Sequence, residues 1–77
     1  MTKGTLFISS AQPGHEASVA HARTALTKRF GSDFSLTIVD VIQEPERAEA
    51  AHVVATPSLI VDDGDGIERF VGTLSAG

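Results

Sequence analysis

Between Thr5 and Val41 the hydrophobic period of this chain changes twice, and that change restricts the fold more than any other feature. Thr5-Leu6-Phe7-Ile8-Ser9 is a short apolar run of β-formers and reads as a strand. Ser10-Ala11-Gln12-Pro13-Gly14 closes it with a loop marked by a Pro-Gly pair. From Glu16, Val19, Ala22, Leu26 and Phe30 recur at three- and four-residue intervals, the stripe of an amphipathic helix. Glu16 in its first turn and Lys28 and Arg29 in its last both suit the helix dipole, and Gly31 stands where a left-handed cap ends it. Phe34 to Val41 then alternates before turning continuously apolar, which predicts a second strand, interior at its far end. Strand, crossover helix and strand in so short a span make a right-handed βαβ unit with parallel strands.

The remainder reads as a different kind of unit. Pro45 opens a short helix, Glu46 to about His52, where a proline costs no helical hydrogen bond, with Ala48 and Ala51 as its small inward residues. Ser58-Leu59-Ile60-Val61 and Ile67-Glu68-Arg69-Phe70-Val71 flank Asp62-Asp63-Gly64-Asp65-Gly66, and together predict an antiparallel hairpin. The order is β-α-β-α-β-β without repeat or linker, so residues 1–77 are expected to form one domain. A βαβ half followed by a hairpin with a proline at its first strand resembles the layout of a thioredoxin-like α/β domain. That implies a mixed four-stranded sheet in a three-layer or open-faced sandwich, here without the usual C-terminal helix. A proline at the start of a strand is ordinarily trans. In the thioredoxin-like layout the same position takes a cis bond, cheap enough before proline for packing to select, so Thr56-Pro57 is the expected structural cis-proline.

Composition excludes several chemistries. The chain has no cysteine, which removes disulfides, thiolate nucleophiles and thiolate-ligated metals. A net charge of −4, with four Phe and neither Tyr nor Trp, disfavours nucleic acid as a partner. No apolar run approaches the roughly 20 residues that span a bilayer, and Met1-Thr2-Lys3-Gly4 leads straight into a strand without a secretory leader; the expected location is the cytoplasm, with no membrane contact. A chain of 77 residues buries a modest fraction of its surface and commonly leans on a supplement. Self-association or a partner protein is the expected one.

The residues with chemically reactive side chains have plainer explanations. Redox-active thioredoxin-like proteins place Cys-x-x-Cys in the loop after the first strand, at a helix N-terminus. Here that loop is Ser9-Ser10-Ala11-Gln12-Pro13-Gly14-His15, and no acid is evidently placed to orient His15 as a base for a serine, so no catalytic residue is expected. His15, His21 and His52 match no metal-ligand spacing, and none is expected to bind a metal. Asp62 to Gly66 lacks the order of a calcium loop and suits a hairpin turn. With no glycine-rich phosphate loop, no cofactor is expected. Arg23, Lys28 and Arg29 lie on the polar side and at the end of the first helix, a solvated face with a minority role in meeting an acidic partner.

These residues resemble the KaiB family, small thioredoxin-like partners in bacterial circadian timing. Leu6-Phe7-Ile8-Ser9-Ser10 is similar to its first strand and exit, and Pro13, Ser18-Val19 and Arg23-Thr24 to its first loop and helix, the loop being a few residues longer here. The most specific stretch is Leu36-Thr37-Ile38-Val39-Asp40-Val41, Pro45, Ala48-Glu49 and Val54-Ala55-Thr56-Pro57-Ser58-Leu59. Arg69 to Ser75 resembles the family's closing segment, with Thr73 where the family usually has aspartate. The family continues into a further helix. That region rearranges between two folds in the cyanobacterial proteins, so the resemblance carries no expectation of fold switching to this chain. An uncovered face of the sheet is then expected to be buried in a homo-oligomer or against a partner.

The resemblance implies a non-enzymatic regulatory module docking on a KaiC-like ATPase. It would use the first helix, the second strand and the loop around Pro45, with Arg23, Lys28, Arg29, Val41 and Pro45 as partner contacts, the three basic residues steering, and with Phe7, Val41 and Pro57 as scaffold positions. Two other readings keep the fold. One is the N-terminal sensor domain of a SasA-type histidine kinase. The other is a thiol-free domain that binds glutathione or a peptide beside Thr56-Pro57.

Overall fold

The computed structural model describes residues 1–71 of the chain. Its elements run β1 (Thr2–Ile8), α1 (His15–Phe30), β2 (Phe34–Asp40), α2 (Pro45–Ala50), β3 (Ser58–Asp62) and β4 (Ile67–Val71). The expected order holds throughout. The segment from Gly72 on, including Thr73 and the expected absence of a terminal helix after Leu74, lies outside the described residues.

The four strands form one mixed sheet in the order β2-β1-β3-β4. β1 runs parallel to β2, pairing Leu6 with Ile38, and antiparallel to β3, pairing Leu6 with Leu59. β3 and β4 make the hairpin, with Leu59 opposite Phe70 and Ile60 opposite Arg69. α1 packs on one face, where Leu6, Ile8, Ala22, Leu26, Leu59 and Val61 form the larger core. Val19 and Phe30, the outer members of the helical stripe, flank it half-buried together with Phe34 and Leu36. On the other face Phe7, Val39 and Ala48 make a smaller core, edged by Val41, Ala51, Val53 and Ile60. Leu6 and Val39 are fully excluded from solvent, one on each face.

Two expectations change. β1 begins at Thr2 rather than Thr5, because Gly4 is a strand residue under α1. A Cβ on Gly4 would stand 3.0 Å from Leu26 Cδ1, so the bare backbone is what lets the helix sit this close. β2 is an edge strand rather than an interior one. Its apolar run is explained by two helices: Phe34 and Leu36 pack under α1, whereas Val39 and Val41 pack under α2. Of the two expected arrangements, three-layer and open-faced, the structure has the three-layer one, with a helix on each face. α2 is short and covers only the end of its face near Phe7 and Val39, so among the described residues the opening is confined to the β3–β4 half.

Candidate functional site

Two regions gather the residues singled out in the sequence. One is the corner where the β1–α1 loop meets the segment before β3. Gly14 turns the chain into α1 with φ 84° and ψ 6°, a left-handed conformation that favours glycine, and its carbonyl accepts from Ser18 N–H at 3.2 Å. Gln12 N–H donates to Ser9 C=O at 3.0 Å, and His15 Nδ1 lies 3.0 Å from Gln12 C=O. Across the corner, Thr56 Oγ1 donates to Gln12 Oε1 at 2.9 Å. The Thr56–Pro57 peptide bond is cis, and Ser58 Oγ donates to Ala55 C=O. The loop encloses a shallow depression of about 400 Å³ lined by Ser10, Gln12, Pro13, His15 and their neighbours.

Asp40, at the end of β2, ties this corner to the loop before α2. Its Oδ1 accepts from Ser10 N–H at 3.2 Å and from Ile42 N–H at 3.0 Å. Its carbonyl accepts from Gln43 N–H at 3.1 Å and Glu44 N–H at 2.9 Å. Hydrogen bonding from Ser10, its side chain foremost, outweighs partial desolvation and holds the carboxyl below its usual range; Ile42 N–H and the charge of His15 act in the same sense. In the sequence Asp40 stands out only as one member of the Leu36–Val41 stretch, with no role of its own. The signal was present: an aspartate closing a strand two residues before a loop amide is the pattern of an Asx turn.

The second region is the outer side of α1 and its junction with β2. Arg23 is exposed and, with Thr27, Gly31, Ser32, Phe34, Ser35 and Leu36, lines an open groove beside the β2 edge. Lys28 is exposed on the last turn. Arg29 faces the opposite way, where Nη2 lies 3.2 Å from Glu68 Oε1 and Nη1 lies 3.3 Å from Glu68 Oε2 on β4. Its guanidinium also stands 5.1 Å from the Phe30 ring centre. The hydrogen bond and charge of Glu68 raise its pKa further above its usual value. The three basic residues therefore do not form one patch. Arg23 borders the β2 side and Arg29 is bound to the β4 side.

Val41 is half-buried against Phe7 and Val39, and its N–H donates to Ile8 C=O at 2.8 Å, so it holds the loop rather than presenting a free contact. Pro45 is exposed at the first position of α2, next to Ile42, which is also exposed. Phe7 and Pro57 sit inside the domain as scaffold, Phe7 buried and Pro57 half-buried. His15, His21 and His52 lie on α1's first turn, on its outer side and after α2 respectively. No helix among the described residues is long and apolar enough to cross a membrane.

Residues 5–77 match the family model of the KaiB domain. The chain is 26% identical over 70 residues to the circadian clock protein KaiB3 of Synechocystis sp., covering 91% of this chain and 69% of that protein. It is 29% identical to the circadian clock oscillator protein KaiB of Prochlorococcus marinus, covering 91% of this chain and 59% of that one. Among solved structures, the N-terminal domain of Synechococcus elongatus SasA superposes with a TM-score of 0.77 at 20% identity, over 94% of this chain and 69% of that one. Thioredoxin 1 of Thermosipho africanus superposes at 0.73 and 24% identity, over 91% and 76%. These structural neighbours identify the fold as thioredoxin-like.

Proposed function

The chain belongs to the KaiB family, and from that premise we propose that it is a non-enzymatic regulatory module that docks on a KaiC-like ATPase in a circadian type of assembly. The observation that carries this reading is the chemistry of the first loop. Where a redox domain of this fold keeps its thiols, this chain has no cysteine; instead Ser10 N–H donates to Asp40 and Gln12 Oε1 accepts from Thr56. Such a corner is built to hold two loops in register. It supplies no activated nucleophile.

The docking surface in this reading is the α1 groove with Arg23 and Lys28, the β2 edge and the exposed Ile42–Pro45 turn. Arg23 and Lys28 act as steering charges toward an acidic patch, whereas Arg29, already paired with Glu68, supports the scaffold. The test is co-purification from the source cell with ATP and with ADP, followed by mass spectrometry. A RecA-like ATPase should be recovered, more strongly in one nucleotide state. Repeated recovery of no such ATPase in either state would sink the reading.

The resemblance to the SasA domain supports a second reading, in which this domain is the sensor module of a histidine kinase. A kinase core following this segment in the native reading frame would decide for it.

A further inference from the structure

The far edge of the sheet has a pattern that the proposed docking surface does not use. β4 lies at the opposite edge from β2, and all five of its residues are exposed. Asp63 N–H donates to Gly66 C=O at 3.2 Å to close the hairpin, and the register continues unbroken from Asp62–Ile67 to Ser58–Val71. Antiparallel ladders alternate hydrogen-bonded and open pairs. Starting from that closing bond, Glu68 and Phe70 are the β4 residues whose backbone bonds to β3. The N–H and C=O groups of Ile67, Arg69 and Val71 therefore point outward, unpaired among the described residues.

The same three residues share one face, the face that α2 leaves open. Ile67 and Val71 are 66% and 63% exposed, and Arg69 stands between them without an ion pair among the described residues. Glu68, on the other face, is already held by Arg29. The edge thus presents outward backbone groups together with an apolar, cationic, apolar row.

We propose that β4 accepts an extended segment of a partner protein by strand addition, the segment carrying an acidic residue opposite Arg69 and apolar residues two positions to either side. Backbone bonding at Ile67, Arg69 and Val71 provides affinity, and the side-chain row provides selection. A second copy of this chain fits less well. Two-fold pairing centred on Arg69 sets Arg69 against Arg69, and pairing centred on Glu68 sets Glu68 against Glu68. Pairing centred on Phe70 sets Arg69 against Val71, so the cation again meets no carboxylate.

The probe is a blocked heptapeptide with glutamate at its centre, valine two residues to each side and threonine elsewhere. It is titrated into the full, isotope-labelled chain, alongside a version with central lysine. Chemical-shift changes should concentrate at residues 67–71, and the amides of Ile67, Arg69 and Val71 should become protected from hydrogen exchange. The lysine peptide should bind roughly tenfold more weakly, the effect of exchanging an attractive cross-strand pair for a repulsive one. Arg69→Glu should reverse the preference between the two peptides, and its unchanged spectrum elsewhere establishes that it is folded. Equal binding of the peptides, changes centred on β2, or no binding at millimolar peptide would overturn the proposal. Concentration-dependent shifts at β4 without peptide would overturn it too, assigning the edge to a second copy.

Discussion

Arg29 and Glu68, 39 positions apart, meet in a two-pronged ion pair that fastens the last turn of α1 to the edge strand β4, with oxygen–nitrogen distances of 3.2 and 3.3 Å. The pair is about half exposed on both sides, so its Coulomb energy is strongly screened and its effect on global stability is small. Its consequence is local. Among the described residues β4 has strand contacts on one side only, and the pair gives it an additional attachment to the helix. Glu68→Gln should speed amide exchange at Glu68 and Phe70 while leaving β1 unchanged, and raising the salt concentration should shrink the difference between the two proteins. Equal exchange in β4 at low salt would count against this.

Asp40 makes stability depend on pH in one direction. Its folded pKa lies below the ordinary 3.8, so its stabilising effect is complete above that value and is lost as the pH falls through the lower folded pKa. In urea titrations the gap between the wild type and Asp40→Asn should be constant from neutral pH to about pH 5 and close on further acidification. A gap that widened in acid would contradict the assignment.

Gly14 provides a conformational test. Nothing lies within 4 Å of a Cβ placed there, so Gly14→Ala meets no steric obstacle beyond its own backbone. The left-handed φ of 84° alone should cost about 1 kcal/mol, a fall of roughly 4–8 °C in Tm for a domain of this size. An unchanged Tm would mean that the helix start rearranges.

Leu26 tests the larger core. It is buried against Leu6, Leu59 and Val61, and Leu26→Ala should lose about 2–5 kcal/mol, a large part of the stability of a small domain. Chemical denaturation at low temperature, where the variant remains measurable, gives the number. A loss under about 1 kcal/mol would show that α1 closes over the gap.

Arg23 and Lys28 test the proposed surface. Arg23→Glu with Lys28→Glu should slow association with the ATPase severalfold and weaken its salt dependence, with little change in dissociation. Surface plasmon resonance at two ionic strengths separates these effects. Arg29→Glu should act differently, first disturbing β4. If all three substitutions behaved alike, the division of the basic residues between two edges would lose its functional meaning.

The element order was legible because each segment carries its own period, and the Val19–Phe30 stripe settles on the core as its spacing requires. The hairpin was legible from its turn residues. The edge position of β2 was hidden, because an apolar run reports that a strand's faces are covered and says nothing of its neighbours in the sheet. Helices on two faces produced the same run that two flanking strands would have. The start of β1 was hidden for a related reason: Gly4 looks like a break until Leu26 is seen packing over it. At the site, the missing thiols were plain, but Asp40 gains its role only when Ser10, thirty positions away, is folded against it.

By itself, the amino-acid sequence determined the succession of strands and helices, the faces they bury and the absence of thiol chemistry. All of these depend on residue type and on spacings of a few positions. Tertiary structure decided the strand order, the separation of Arg23 from Arg29, and which backbone groups of β4 face outward. Those depend on register across the sheet, where a shift by one residue would carry Glu68 away from Arg29 and turn Arg69 to the other face. No local pattern encodes such a relationship, because it exists only once distant segments are paired.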